Sequence, residues 1–250
     1  MNITLLGAIF GAILLALPIF IIFRYNLNIM RHFLTSLLRL VVSVALLALI
    51  MMLSVLVKSI VIDVLLAIVL CLITSLLTTG KARLKMQKMY LPVAAGVLAG
   101  TLAVGLYFVY LVMGFRNPFL SNAFMPVIGL LAGGMISVNA KALIVYNDGL
   151  AHHGQLYNYL LGNGCSPRQA LDYFVRRSLR ASILSVSKQM SRIVLVGAPV
   201  AFLVAILGGC DIVTAVALQV LLLIAVASAS TVSVLVTLTI ERKRSSGNYI

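Results

Sequence analysis

SIVIDVLLAIVLCLITSLLTT, Ser59 to Thr79, runs for 21 residues with one charged side chain, Asp63. As a helix it rises about 30 Å, the depth of a bilayer's hydrocarbon core. Its apolar residues show no break that would spare one face for water, so it reads as a membrane span. The rest of the chain agrees. It is 62% hydrophobic and 10% charged, with a mean hydropathy of +1.16, where a soluble domain is about a quarter charged.

Six further runs have the same character: Ile3–Phe23, Leu37–Val57, Leu91–Met113, Ala123–Ala140, Ile193–Leu207 and Ile212–Ile240. The first has no basic stretch before it and is long for a signal-peptide core, so it reads as a retained span. Counted along the chain with Ser59–Thr79 as the third, the fifth can continue as helix beyond the membrane, the sixth is short and the seventh long. The expected fold is all-α: a polytopic helical bundle of about seven spans. The chain, 1–250, is read as one transmembrane domain with an extramembrane segment at about 148–192.

The charge sets the orientation. Net charge is +14, which in a soluble protein would suggest nucleic acid. Here segments 24–39, 80–89, 141–192 and 241–250 hold three, four, seven and three of the 19 Lys and Arg, leaving Lys58 and Arg116 to the alternate loops. That asymmetry is the positive-inside pattern, which places the amino terminus outside and the carboxy terminus in the cytoplasm. The basic loops then meet anionic lipid, with no nucleic-acid footprint.

Few residues carry chemistry. Cys71, Cys165 and Cys210 fall at three different depths, so no pair can form a disulfide. His152-His153 cannot both face one ion from a regular helix. The ten methionines are scattered as ordinary apolar filling. The five acids, Asp63, Asp148, Asp172, Asp211 and Glu241, have no acid–base spacing. Asp211 suits an N-cap for the last helix. Asp63, near the end of its span, suits an interfacial position or, deeper, a functional one. Gly7-x-x-x-Gly11, Gly96-x-x-x-Gly100 and Gly129-x-x-x-Gly133 fit close helix packing, as does Ala227-Ser-Ala-Ser230. Thr79-Gly80-Lys81-Ala82 lacks the glycine and hydroxyl of a nucleotide-binding loop. The chain is therefore read as carrying no enzyme site of its own.

One hydrophilic stretch stands out: YLLGNGCSPRQALDYFVRRSLRASI, Tyr159 to Ile183. Gly162 and Gly164 interrupt a helix. Ser166 then offers an N-cap, Pro167 suits the first helical position, and Gln169 completes a capping box. Leu171, Phe174, Val175, Leu179, Ile183 and Val186 recur at helical spacing. Arg168, Arg176 and Arg180 line another face, with Asp172 spaced for i,i+4 pairs. The physics permits either an interfacial helix on anionic lipid or a knuckle that docks into a partner's groove.

Gly164-Cys165-Ser166-Pro167-Arg168-Gln169-Ala170 resembles the coupling signature of ABC transporter permeases, Gly-Ala-Ser/Thr-Pro-x-x-Ala. Over about 123–220 the chain resembles the iron-export permeases of the FetB type, related to plant aluminium-tolerance permeases. Arg176, Ser178, Arg180 and Ala181 fit that family's Arg-x-Ser-x-Arg-Ala. Pro126, Gly129, Ala132 and Gly133 fit its Pro-x-x-Gly-x-x-Ala-Gly, and Pro199, Gly209, Asp211, Ala215 and Gln219 fall at its spacing. The chain departs from it at Tyr159, Gly134, Val200 and Leu218, where the family has Glu, Asn, Gly and Tyr.

The resemblance implies a permease subunit in the inner membrane of a bacterium, exporting iron or a related metal. A second copy and a separate ATP-binding subunit holding ATP and Mg would complete it, with Gly164–Arg180 as the coupling element. Gln219, Gly133, Gly134 and Asp63 are the pathway candidates, and no metal ligand set is assigned. A secondary transporter would need an intramembrane ionisable relay or broken helices, at which Asp63 and Gly133-Gly134 hint. A membrane scaffold using the same knuckle is the third reading.

Overall fold

The computed structural model describes residues 19–20, 24, 30–57, 59–84, 86–117, 123–196, 208–209 and 211–247. Among them all regular structure is helical. The helices are α1 (Met30–Val57), α2 (Ile60–Lys81), α3 (Met86–Tyr107), α4 (Phe124–His152), α5 (Gly154–Gly162), α6 (Pro167–Val196) and α7 (Ile212–Gly247), and α3 continues into a π-helical turn at Phe108–Val112. The chain packs as two units, 1–56 and 57–250. In the first, the described element is α1. The second holds α2 to α7, and everything below concerns it.

Four stretches are long and apolar enough to cross a membrane: Ile60–Lys81, Met89–Val112, Phe124–His152 and Ile212–Arg244. They correspond to the expected third, fourth, fifth and seventh spans, and the protein is a multi-pass membrane helical bundle. The fifth does run on, as a 29-residue helix to His152. The expected second span lies in α1, whose apolar stretch is the shorter Val44–Ser54. The runs Ile3–Phe23 and Ile193–Leu207, Gly7 and Gly11, Cys210, and Pro199 and Val200 lie wholly or largely outside the described residues.

Small residues bring the spans together, since apolar contact with lipid gives helices little reason to associate. A Cβ at Gly96 would stand 2.5 Å from the Ser233 carbonyl oxygen, and one at Gly100 2.6 Å from that of Ala229, so α3 and α7 touch backbone to backbone. On α4 the expected pair does not behave alike. Gly129 has only Leu70 nearby and Gly133 faces open space, whereas Gly134 is pressed by Val226 Cγ1 at 2.5 Å. Of Ala227-Ser-Ala-Ser230, Ala229 and Ser230 are the buried members. On α2, buried hydroxyls are satisfied within the helix: Thr74 donates to the Leu70 carbonyl and Thr78 to that of Thr74, each at 2.8 Å. Cys71, fully buried, shares a hydrogen bond with Thr101 at 3.3 Å.

At one end of the bundle six helices meet in a shared core. Cys71 of α2, Val93 of α3, Tyr146 of α4, Phe174 of α6 and Leu238 of α7 are buried in it, and Leu156 of α5 packs against it. The loop from α2 to α3 closes there. Arg83 takes φ 53°, its N–H donates to the Gly80 carbonyl, and Leu84 N–H donates to that of Thr79. This is a Schellman turn with arginine at the left-handed position that glycine usually fills.

Candidate functional site

The Tyr159–Ile183 stretch folds as its residues suggest. Helix α5 ends in a second Schellman turn: Gly164 N–H donates to the Leu161 carbonyl at 3.0 Å and Cys165 N–H to that of Leu160 at 3.1 Å. Gly164 has φ +83°, so it is the residue that turns the chain, while Gly162 is the last residue of α5. The capping box then starts α6. Ser166 N–H donates to Gln169 Oε1 at 2.9 Å, and Gln169 N–H reaches Ser166 Oγ at 3.4 Å. Pro167 occupies the first helical position, where its missing N–H leaves nothing unpaired. The corner is exposed at Gly164, Ser166, Arg168 and Gln169 and half-buried at Cys165 and Pro167.

Helix α6 is clamped to the bundle by a different face from the one its apolar spacing suggests. Leu171 and Phe174 are buried, Val175 and Leu179 half-buried, and Val186 buried, as expected. Ile183 is not: it is 54% exposed, and the wholly buried positions are Ala170, Ser178 and Ser182. Ser178 Oγ donates to the Ala142 carbonyl of α4 at 2.7 Å, and Phe174 lies against Gly149, whose Cβ would come within 3.1 Å of its ring. A small hydroxyl side chain lets two helix backbones approach and still satisfies its own polar group, which no apolar side chain at that position could do. The recurrence of Ala170, Phe174, Ser178, Ser182 and Val186 every fourth residue carried that signal.

Asp172 also departs from expectation. Its carboxylate pairs with Arg242 of α7, not with Arg168 or Arg176 one turn away on α6. Both partners are part-exposed, which makes the pair modest in stability, but it ties α6 to a second span. Arg168, Arg176, Arg177 and Arg180 point outward and form no ion pair among the described residues. The corner therefore presents a rigid turn and a row of free guanidinium groups, on a helix fastened to α4 and α7.

The pathway candidates do not converge. Gly133 is exposed and Gly134 is filled by Val226. Gln219 is half-buried, with Oε1 shielded and without a partner. Asp63 lies in the first turn of α2 and is 5% exposed, with Oδ1 likewise unpartnered; its burial goes beyond what an interfacial acid requires. No hydrogen bond joins any two of the four among the described residues. Asp211 does precede α7 in the N-cap position, its carbonyl accepting from Ala215 N–H at 2.9 Å. His152 Nδ1 lies 3.0 Å from the Asp148 carbonyl, and both histidines are exposed. Among the described residues no three of His, Cys, Asp and Glu come together as a metal site.

Compared with known proteins, residues 5–245 match the model of a family described as "Uncharacterised protein family (UPF0014)". Protein ALUMINUM SENSITIVE 3 of Arabidopsis thaliana is 28% identical over 124 residues, which are 50% of this chain and 44% of that protein. The chain thus matches less than half the length of that relative. No solved structure matches.

Proposed function

The chain belongs to the UPF0014 family, the family of FetB-type permeases; from that premise we propose that it is a transport permease, the membrane-spanning subunit of an ABC transporter in a bacterial inner membrane. A separate ATP-binding subunit, carrying ATP and Mg, docks on Gly164–Arg180. Two permeases and two ATPases form the working unit. Closure of the ATPase pair draws the corner with it, and the bundle rocks between inward and outward access. Iron or a related metal ion is the cargo, moved out of the cell.

One observation carries this reading. The corner is stiff where it must receive force, through its Schellman turn and capping box, and fastened where it must pass force on, through Ser178 to α4 and Asp172 to α7. A helix that only lay on lipid would gain nothing from either. The exposed arginines supply charge for an acidic groove in the partner.

Affinity purification of the permease from its own cells tests the proposal. The ATPase should co-purify with the wild type and be lost with Gly164→Trp, which disrupts the turn while leaving every span intact. A Gly164→Trp protein that retains its ATPase at the wild-type level would place docking elsewhere and return the basic face to lipid. The cargo is tested separately, by the iron and other metal content of cells lacking the transporter. Unchanged content for all metals would leave the permease reading and remove the metal.

A further inference from the structure

We propose that Asn139 of α4, Ser182 of α6 and Ser233 of α7 form a buried site for one water molecule, joining the corner-bearing helix to both of its neighbours. This holds whether or not an ATPase docks on the corner. Asn139 is 2% exposed, and Ser182 and Ser233 are 0% exposed. Asn139 Nδ2 donates to Ser233 Oγ at 2.8 Å across the α4–α7 contact. Two shielded polar atoms are left without partners, Asn139 Oδ1 and Ser182 Oγ.

The registers of the three helices bring these atoms to one level. Helix α6 runs antiparallel to α4, because Phe174 meets Gly149 while Ser178, further along α6, meets the earlier Ala142. One more turn of α6, a rise of about 6 Å, carries it from Ser178 to Ser182 and carries α4 back from Ala142 to the level of Val138 and Asn139. Helix α7 runs parallel to α4, since Gly134 meets Val226 and Asn139 meets Ser233, and is therefore antiparallel to α6; its contact with α6 gives the same level. Asp172 is paired with Arg242, so ten residues onward along α6, at Ser182, the antiparallel α7 has come back to Val232 and Ser233. Asn139 and Ser233 are themselves bonded, so both routes end at the same place.

The chemistry selects water. Neighbouring hydroxyls on this helix turn back on the main chain: Ser187 donates to the Ile183 carbonyl at 2.9 Å and Ser191 to that of Ser187 at 3.0 Å. Ser182 has the same option at Ser178 and does not take it. Its O–H lacks an acceptor, while Asn139 Oδ1 lacks a donor, and burying either unpaired is costly. A water accepts from the first, donates to the second, and has Ser233 Oγ as a third partner, within the two to four that buried waters make. The three side chains are neutral and too few to serve as the oxygen shell of a hard cation.

A high-resolution structure of the full chain in lipid nanodiscs is the direct test. A solvent peak within about 3.2 Å of both Ser182 Oγ and Asn139 Oδ1 is expected. A dry junction, or a direct bond between the two side chains, overturns the proposal. A double-mutant cycle gives a second reading through thermal unfolding in detergent. Ser182→Ala and Asn139→Leu should each lower Tm, and the double variant should lose clearly less than the two losses added, since either change alone expels the same water. Strict additivity overturns the proposal as well.

Discussion

The carboxylate of Asp172 on α6 is held by Arg242 on α7, a residue 70 positions away along the chain. The two side chains are 43% and 30% exposed, so breaking the pair should cost at most about 1 kcal/mol of stability. Its effect on transport should be larger if α6 passes motion to α7. On the proposed function, Asp172→Arg and Arg242→Asp should each lower transport-coupled ATP hydrolysis in the transporter reconstituted with its ATPase, while changing Tm little. Combining them should restore much of the loss. A double variant no better than the singles would show that the pair does not link the two helices in function.

The α3–α7 contact should tolerate no side chain at Gly96. Gly96→Ala places a methyl group against the Ser233 carbonyl oxygen, and overpacking of this kind costs about 1–3 kcal/mol or more. Gly133→Ala, at a site with nothing within 4 Å, should leave stability unchanged or slightly raised, because alanine favours helix. Thermal unfolding of the two variants in the same detergent compares them directly.

The two Schellman turns make opposite demands. Gly164→Ala forces an L-residue into the left-handed region and should cost about 1–2 kcal/mol, with Gly164→Asn milder because asparagine accepts that conformation. Ser166→Ala removes the cap and should cost about 1 kcal/mol. At the other turn arginine already carries the left-handed strain, so Arg83→Gly should stabilise by up to about 1 kcal/mol. A fall in Tm for Arg83→Gly would mean that its side chain makes a contact worth more than the strain.

Thiol labelling reads the topology. Cys165 is half-buried at the corner and Cys71 fully buried between spans. An impermeant maleimide should reach Cys165 only after the cells are permeabilised, and Cys71 only after denaturation. Labelling of Cys165 in intact cells would invert the orientation drawn from the basic loops.

What could be read in advance divides by range. The corner was legible because a cap, a turn glycine and an N1 proline act over a few residues, and Ser166, Pro167, Gln169 and Gly164 contain their own instructions. The spans were legible because a bilayer imposes length and polarity on each helix separately. The lateral contacts were not. Gly-x-x-x-Gly spacing marked Gly129 and Gly133 alike, but helix phase made Gly134, one residue on, the point of approach. Apolar periodicity placed Ile183 inward, although inside a membrane bundle small hydroxyls such as Ser178 and Ser182 can hold the interface and leave the branched side chain outside. Arg242 was beyond reach of any local rule, since Arg168 and Arg176 satisfied the i,i+4 spacing equally well.

The core shared by α2 to α7 at the corner-bearing end limits how the bundle can move. Tyr146, Phe174 and Leu238 are each almost wholly enclosed there by side chains from other helices, so no single helix can swing without opening voids in close-packed material. Toward its other end α7 is largely uncovered: Ile212, Val213, Val216 and Val220 are all exposed. Phe108, Phe124 and Ile128 are nonetheless 2%, 1% and 0% exposed, so the open face belongs to α7 and the helices beside it stay packed. On the proposed function, a tilt applied at the corner would therefore travel through whole packed helices, each acting as a lever, and not through one helix bending alone.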